Sequence, residues 1–211
     1  MSTDLFAFIE FEKVAVFTQP KDAWLDFSFY FNERLFLFEI KIKANDTETA
    51  FELSAGYNFL DSFLEAATDL LPHYDNYDKY TGRLRTYTYC SLDAGDGGPG
   101  YYMNFKNVHS SVQVLVRKDI TAEQMDDGLH YGVDIPEELQ DEKTIEEVKD
   151  TIMISFQLPN NHFAYKLKEA CDNLLLLLPL NKYQEILGYP FPEKYYHRLA
   201  EYCNQKPYGF P

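Results

Sequence analysis

Three groups of side chains in this sequence have types suited to chemistry. His73, Asp75 and Asp78 fall within LPHYDNYD, directly after Pro72. Imidazole and carboxylate are ligands for divalent metal ions, and these three lie close enough along the chain to converge on one. Asp126, Asp127, His130 and Asp134 form a second group of the same kind. Pro, Asn, Asp and His after a helix are also ordinary loop residues, and in so acidic a stretch some acids must fall near a histidine. Neither group is therefore expected to hold a metal. The third group pairs Cys90 with His109, which the strand pattern places on neighbouring strands. A nucleophilic cysteine needs a base within hydrogen-bond reach and a further group to orient that base. No GxSxG or HExxH pattern accompanies the pair, and a thiol on a strand is more simply a small buried hydrophobe. No catalytic residue, metal ligand or cofactor is expected.

Gly95-Asp96-Gly97-Gly98-Pro99-Gly100 spells GxGxxG. A dinucleotide site would need a helix N-terminus after the glycines, so that backbone amides face a pyrophosphate. Pro99 and the strand-like Tyr101-Tyr102-Met103-Asn104-Phe105 follow instead. The run is expected to be a flexible hairpin loop.

Charge is the stronger signal. Across 211 residues, 34 acids oppose 19 bases, for a net charge of −15. Residues 119–150 carry 12 acids and 2 bases, hence −10, whereas residues 151–211 carry 5 acids and 6 bases. Nucleic acid and anionic membranes demand basic surfaces, so neither is expected as a direct partner. The longest apolar run, Leu174 to Pro179, falls far short of the ~20 residues that span a bilayer. The start, MSTDLFAFIEFE, lacks the basic region of a secretory signal. Cys90, Cys171 and Cys203 are odd in number and form no CxxC, which fits reduced thiols in a cytoplasmic protein. Cys171 and Cys203 are expected as small core residues on helices.

The hydrophobic pattern supplies the elements. Leu25, Phe27, Phe29 and Phe31 alternate with Asp26, Ser28 and Tyr30, and after a turn at Asn32-Glu33-Arg34, Phe36, Phe38, Ile40 and Ile42 alternate with Leu37, Glu39, Lys41 and Lys43. This period of two predicts an antiparallel hairpin with one buried face. Leu5–Phe11 and Lys13–Thr18 are further strand candidates upstream. Phe59, Phe63, Ala66, Ala67 and Leu70 change to helical spacing, ended by Pro72. Strands are expected again at Leu84–Ser91, Tyr101–Lys106, Ser111–Lys118 and Thr151–Gln157. Short helices are expected near Thr121 and at the Thr144-Ile145-Glu146-Glu147 capping box. Helical spacing returns from Phe163 to Leu178, from Tyr183 to Leu187 with Gly188 as C-cap, and after Pro192. The predicted fold is one α+β domain over 1–211. Its mostly antiparallel sheet comes from the N-terminal two-thirds, packed by one mid-chain helix and two or three C-terminal helices. The acidic segment 119–150 is expected to be exposed, because so many carboxylates cannot be buried together.

Ile186-Leu187-Gly188-Tyr189-Pro190-Phe191-Pro192-Glu193-Lys194-Tyr195-Tyr196 resembles the LG…LP..Y helix-turn-helix segment of the SUKH superfamily, many of whose members are bacterial immunity proteins. In that superfamily the segment comes early and the sheet follows it. Here it lies near the C-terminus, so the resemblance assigns no membership.

The functional expectation rests on charge and tyrosine. The 17 tyrosines can serve either a core or a recognition surface, since Tyr joins an apolar ring to a polar tip. An acidic surface can occupy the basic groove of a nucleic-acid enzyme. The chain is therefore expected to be a non-enzymatic binding protein that masks a basic protein partner, as an immunity or inhibitor protein of a bacterial toxin–antitoxin pair would mask a nuclease-type toxin. Asp126, Asp127, Tyr131, Asp134, Glu137 and Glu138 are the expected contact residues. The rival expectations are a metal- or Cys/His-dependent hydrolase, and a scaffold subunit whose acidity serves only solubility.

Overall fold

A computed structural model describes residues 25–44, 47–71, 87–92, 100–118 and 150–205. Strands β1 (Leu25–Asn32), β2 (Leu37–Ala44) and β3 (Thr47–Ser54) form a three-stranded antiparallel meander. Helix α1 (Phe59–Asp69) follows. Strands β4 (Tyr87–Leu92), β5 (Tyr101–Val108), β6 (Ser111–Lys118) and β7 (Ile152–Pro159) make a second, four-stranded antiparallel meander in that order. Helices α2 (Asn160–Leu177), α3 (Leu180–Leu187) and α4 (Glu193–Gln205) complete the order. This is the expected α+β arrangement of antiparallel sheet, mid-chain helix and C-terminal helices. The strand candidates at 5–18 and the helical starts near Thr121 and Thr144 lie outside the described residues.

Alternation decides which side chains meet. On β1 and β2 the register Phe27↔Ile42, Phe29↔Ile40 and Phe31↔Phe38 sets the apolar residues on one face. Thr49, Phe51 and Leu53 of β3 extend that face. Strand β3 was not among the expected elements. Its glutamates and alanine favour helix on intrinsic propensity, and only pairing with β2 makes its three-residue apolar alternation count. Phe36 departs from the expected inner face. It occupies the turn after Asn32 with φ of 53°, exposed to solvent. The hairpin turn needs four residues, closed by the Leu35 N–H donating to Asn32 Oδ1 at 3.2 Å, so β2 starts one residue later than the pattern implied.

The two inner faces meet through rings. Phe63 of α1 packs edge-on against Phe27 at 6.4 Å, Phe29 at 5.7 Å and Phe105 of β5 at 6.0 Å. Phe163 of α2 touches both Phe27 and Phe105 at 6.0 Å. Each such ring is fully or nearly fully buried and contributes ~1.5–3 kcal/mol of transfer free energy. Polar ties fix α1 to the four-stranded sheet: Thr88 Oγ1 donates to the Ala66 carbonyl at 2.6 Å, and Asn107 Nδ2 to the Leu70 carbonyl at 2.9 Å. Gly188 takes φ of 79° as C-cap of α3, the left-handed conformation expected of it.

Candidate partner interface and its surroundings

Asp126, Asp127, Tyr131, Asp134, Glu137 and Glu138 lie outside the described residues, as do His130 and the His73, Asp75, Asp78 group. What the structure gives is the frame from which the acidic segment springs. Residues 119–151, 33 in all, join Lys118 at the end of β6 to Ile152 at the start of β7. These two strands are neighbours, with Val116 opposite Ile154 and Arg117 opposite Ile152 across an irregularity in register. The Lys118 N–H donates to the Thr151 carbonyl at 2.9 Å, so both ends of the segment are fixed at one point of the sheet. Two residues suffice to turn between antiparallel strands, so pairing β6 with β7 does not itself require the length of this connection.

The strand that leads into this segment is unusual. Burial on β6 runs without a break from Val112 to Arg117. Val112, Val114 and Val116 face the common core, whereas Gln113, Leu115 and Arg117 point to the opposite face and are also buried. Asn104 on β5, opposite Leu115, is buried with them. The Arg117 guanidinium lies 4.5 Å from the ring centre of Tyr102, a cation–π arrangement. Gln113 Nε2 donates to Gln157 Oε1 at 3.0 Å. A row of amides and one arginine thus lies out of water beside the root of the acidic segment. The sequence hides it, because Gln113 and Arg117 look like the solvent side of an alternating strand; Leu115, apolar on that same side, was the available signal.

The structure separates Cys90 from His109. Cys90 is opposite Met103 near the start of β5, and His109 sits in the turn after Val108 at its other end. Six residues of strand put them roughly 20 Å apart. Cys90 is buried, and burial holds its thiol far above the usual range. The nucleophile is therefore neither ionised nor paired with its base. Cys171 and Cys203 are buried on helices as expected, the latter pushed up to about 11 by burial.

Elsewhere charged and phenolic groups hold the helices together. Asp172 on α2 accepts from Lys168 at 2.6 Å and from the Tyr196 hydroxyl of α4 at 2.6 Å. Those bonds raise both donors, so the lysine stays charged and the phenol stays protonated. Arg198 donates to Asp69 at 2.9 Å, joining α4 to α1. The Tyr189 hydroxyl is shared between the carbonyls of Ala55 and Tyr57, both at 2.9 Å, and burial pushes it up to about 12. Tyr183, Tyr195 and Tyr202 are buried, so part of the tyrosine excess serves the core, whereas Tyr30 and Tyr57 are exposed. Among the described residues no three His, Cys, Asp or Glu side chains are grouped to hold a metal, and no helix is long and apolar enough to cross a membrane.

No protein-family model, curated protein or solved structure matches this chain.

Proposed function

We propose that the chain is a non-enzymatic cytoplasmic binding protein whose acidic segment masks a basic protein partner. A partner of the nuclease-toxin kind, with the chain as its immunity or inhibitor protein, fits this chemistry. The observation that carries the reading is the 33-residue connection between two adjacent strands, into which 12 acids and only 2 bases are concentrated. A connection that needs little length for folding is free to carry a contact surface. Like charges gathered on it speed encounter with a basic groove and reject acidic competitors. Asp126, Asp127, Asp134, Glu137 and Glu138 supply the charge, and Tyr131 supplies an aromatic anchor among them. The separation of Cys90 from His109 along β5 supports this reading over the rival nucleophilic one.

The test is capture from host extract with the tagged full chain, beside the variant carrying Asp126→Asn, Asp127→Asn, Glu137→Gln and Glu138→Gln. The expected result is a basic protein retained by the native chain and released by the variant. Retention of the same protein by both chains removes the acidic segment from the interface.

A further inference from the structure

The open face of the three-stranded sheet carries a row of side chains that the core does not use. Register sets Tyr30 opposite Glu39 and Glu39 opposite Glu52, so one row crosses β1, β2 and β3. At ordinary strand spacing it spans about 10 Å. Tyr30 is 54% exposed, and Glu52 is exposed as well. The neighbouring row on the same face holds the small, exposed Ser28 and Ala50, which leaves room for a long side chain to lie along it. Beyond β3 the row continues to Tyr101 of β5, whose ring packs on Phe51 at 4.9 Å. Burial first and the charge of Glu52 second raise the Tyr101 phenol, so its hydroxyl lies in the field of that carboxylate.

The charges of this row are unbalanced. Like charges directly opposite on paired strands destabilise a sheet, and Glu39 and Glu52 are such a pair. Lys41 bonds Glu39 at 2.8 Å, and Lys43 lies 3.9 Å from Glu48. Among the described residues no cation bonds Glu52. Two facing carboxylates thus share one cation, and a second cation is the group that the row lacks. The row also lies beside the root of the acidic connection, because Tyr101 is paired with Lys118, the last residue of β6.

We propose that this row is a second, fixed contact for the basic partner, taking an arginine or lysine side chain between Tyr30 and Glu52. The contact rests on the reading of the chain as a binder of a basic protein, and adds to it a surface outside the acidic connection. A guanidinium is the better fit. Its plane stacks on the Tyr30 ring while its N–H groups donate toward Glu39 and Glu52. A partner drawn in by the acidic connection arrives beside Tyr101 and meets the row there.

Titration of the isotope-labelled full chain with a short oligo-arginine peptide, followed amide by amide in NMR, tests the contact. The expected result is saturable shifts at Tyr30, Glu39, Glu52 and Tyr101 that weaken as salt rises. The variant neutralised at Asp126, Asp127, Glu137 and Glu138 should keep them. Glu52→Lys should raise the dissociation constant at this face at least about tenfold. It should not lower the urea midpoint, since it sets opposite charges across β2 and β3. Tyr30→Ala, on another strand, should raise the constant about two- to fivefold, the loss of one exposed cation–π contact, so a folding defect in one variant leaves the other decisive. Shifts confined to residues 119–150 would overturn this contact and leave the acidic connection as the binding surface. Native affinity in both the Glu52→Lys and Tyr30→Ala chains would overturn it too.

Discussion

Strands β2 and β6 are each eight residues long, and each lies inside its sheet. On β2, Phe38, Ile40, Ile42 and Ala44 are buried while Lys41 faces water, and Glu39 and Lys43 are only partly covered. On β6 six consecutive residues are buried, among them Gln113 and Arg117. Both sequences alternate, yet only the first alternation separates core from solvent. The three-stranded sheet has one interior face; at β5 and β6 the four-stranded sheet has two, the second one polar. The acidic connection leaves from this second kind of strand.

The comparison ranks the effects of substitution. Removing a ring from the shared inner face should cost most: Phe38→Ala or Phe63→Ala should each destabilise by ~3–5 kcal/mol in urea titration. A loss below about 1 kcal/mol at both sites would show that the rings are not the core. On the second face, Arg117→Ala should cost about 2 kcal/mol, because it strips a buried cation from the Tyr102 ring and from its other contacts. A neutral Arg117→Ala would mean that this face behaves like the open side of β2. His162, buried at the start of α2, sharpens the ranking through pH. Burial first and Lys166 second lower it from 6.5, so it folds in the neutral form. Its contribution is complete above 6.5 and is lost as pH falls from there through the lowered value, a loss that His162→Gln should flatten. An unchanged pH profile in that variant would place the histidine in water. Smallest of all, Lys41→Ala on the open face should leave the urea midpoint where it is, although Lys41 meets Glu39 at 2.8 Å.

How far the chain could be read from its sequence follows from the same contrast. Period-two and period-3.6 patterns located β1, most of β2, α1 and the C-terminal helices, because a single buried stripe writes itself into the residue order. Strand β3 stayed hidden because its Glu and Ala residues speak for helix until β2 supplies a partner. Phe36 was misplaced because alternation carries no information on how many residues a turn consumes. Arg117 was missed because period fixes which residues share a face and leaves open whether that face meets water. For the site, the sequence supplied the acids and their concentration; the structure supplied what no spacing could, two adjacent strands joined at one point by 33 residues.

The connection between β6 and β7 is the proposed binding surface. The direct measurement is association kinetics with the captured partner across a salt series, for the native chain and for the Asp126, Asp127, Glu137, Glu138 neutralised variant. Steering by the acidic segment predicts slower association in the variant and a flatter dependence on salt, since attraction is screened beyond ~8 Å at physiological ionic strength. Folding stability should be unchanged. An equal association rate and an equal salt slope in the two chains would contradict the account and leave the segment's charge to solubility alone.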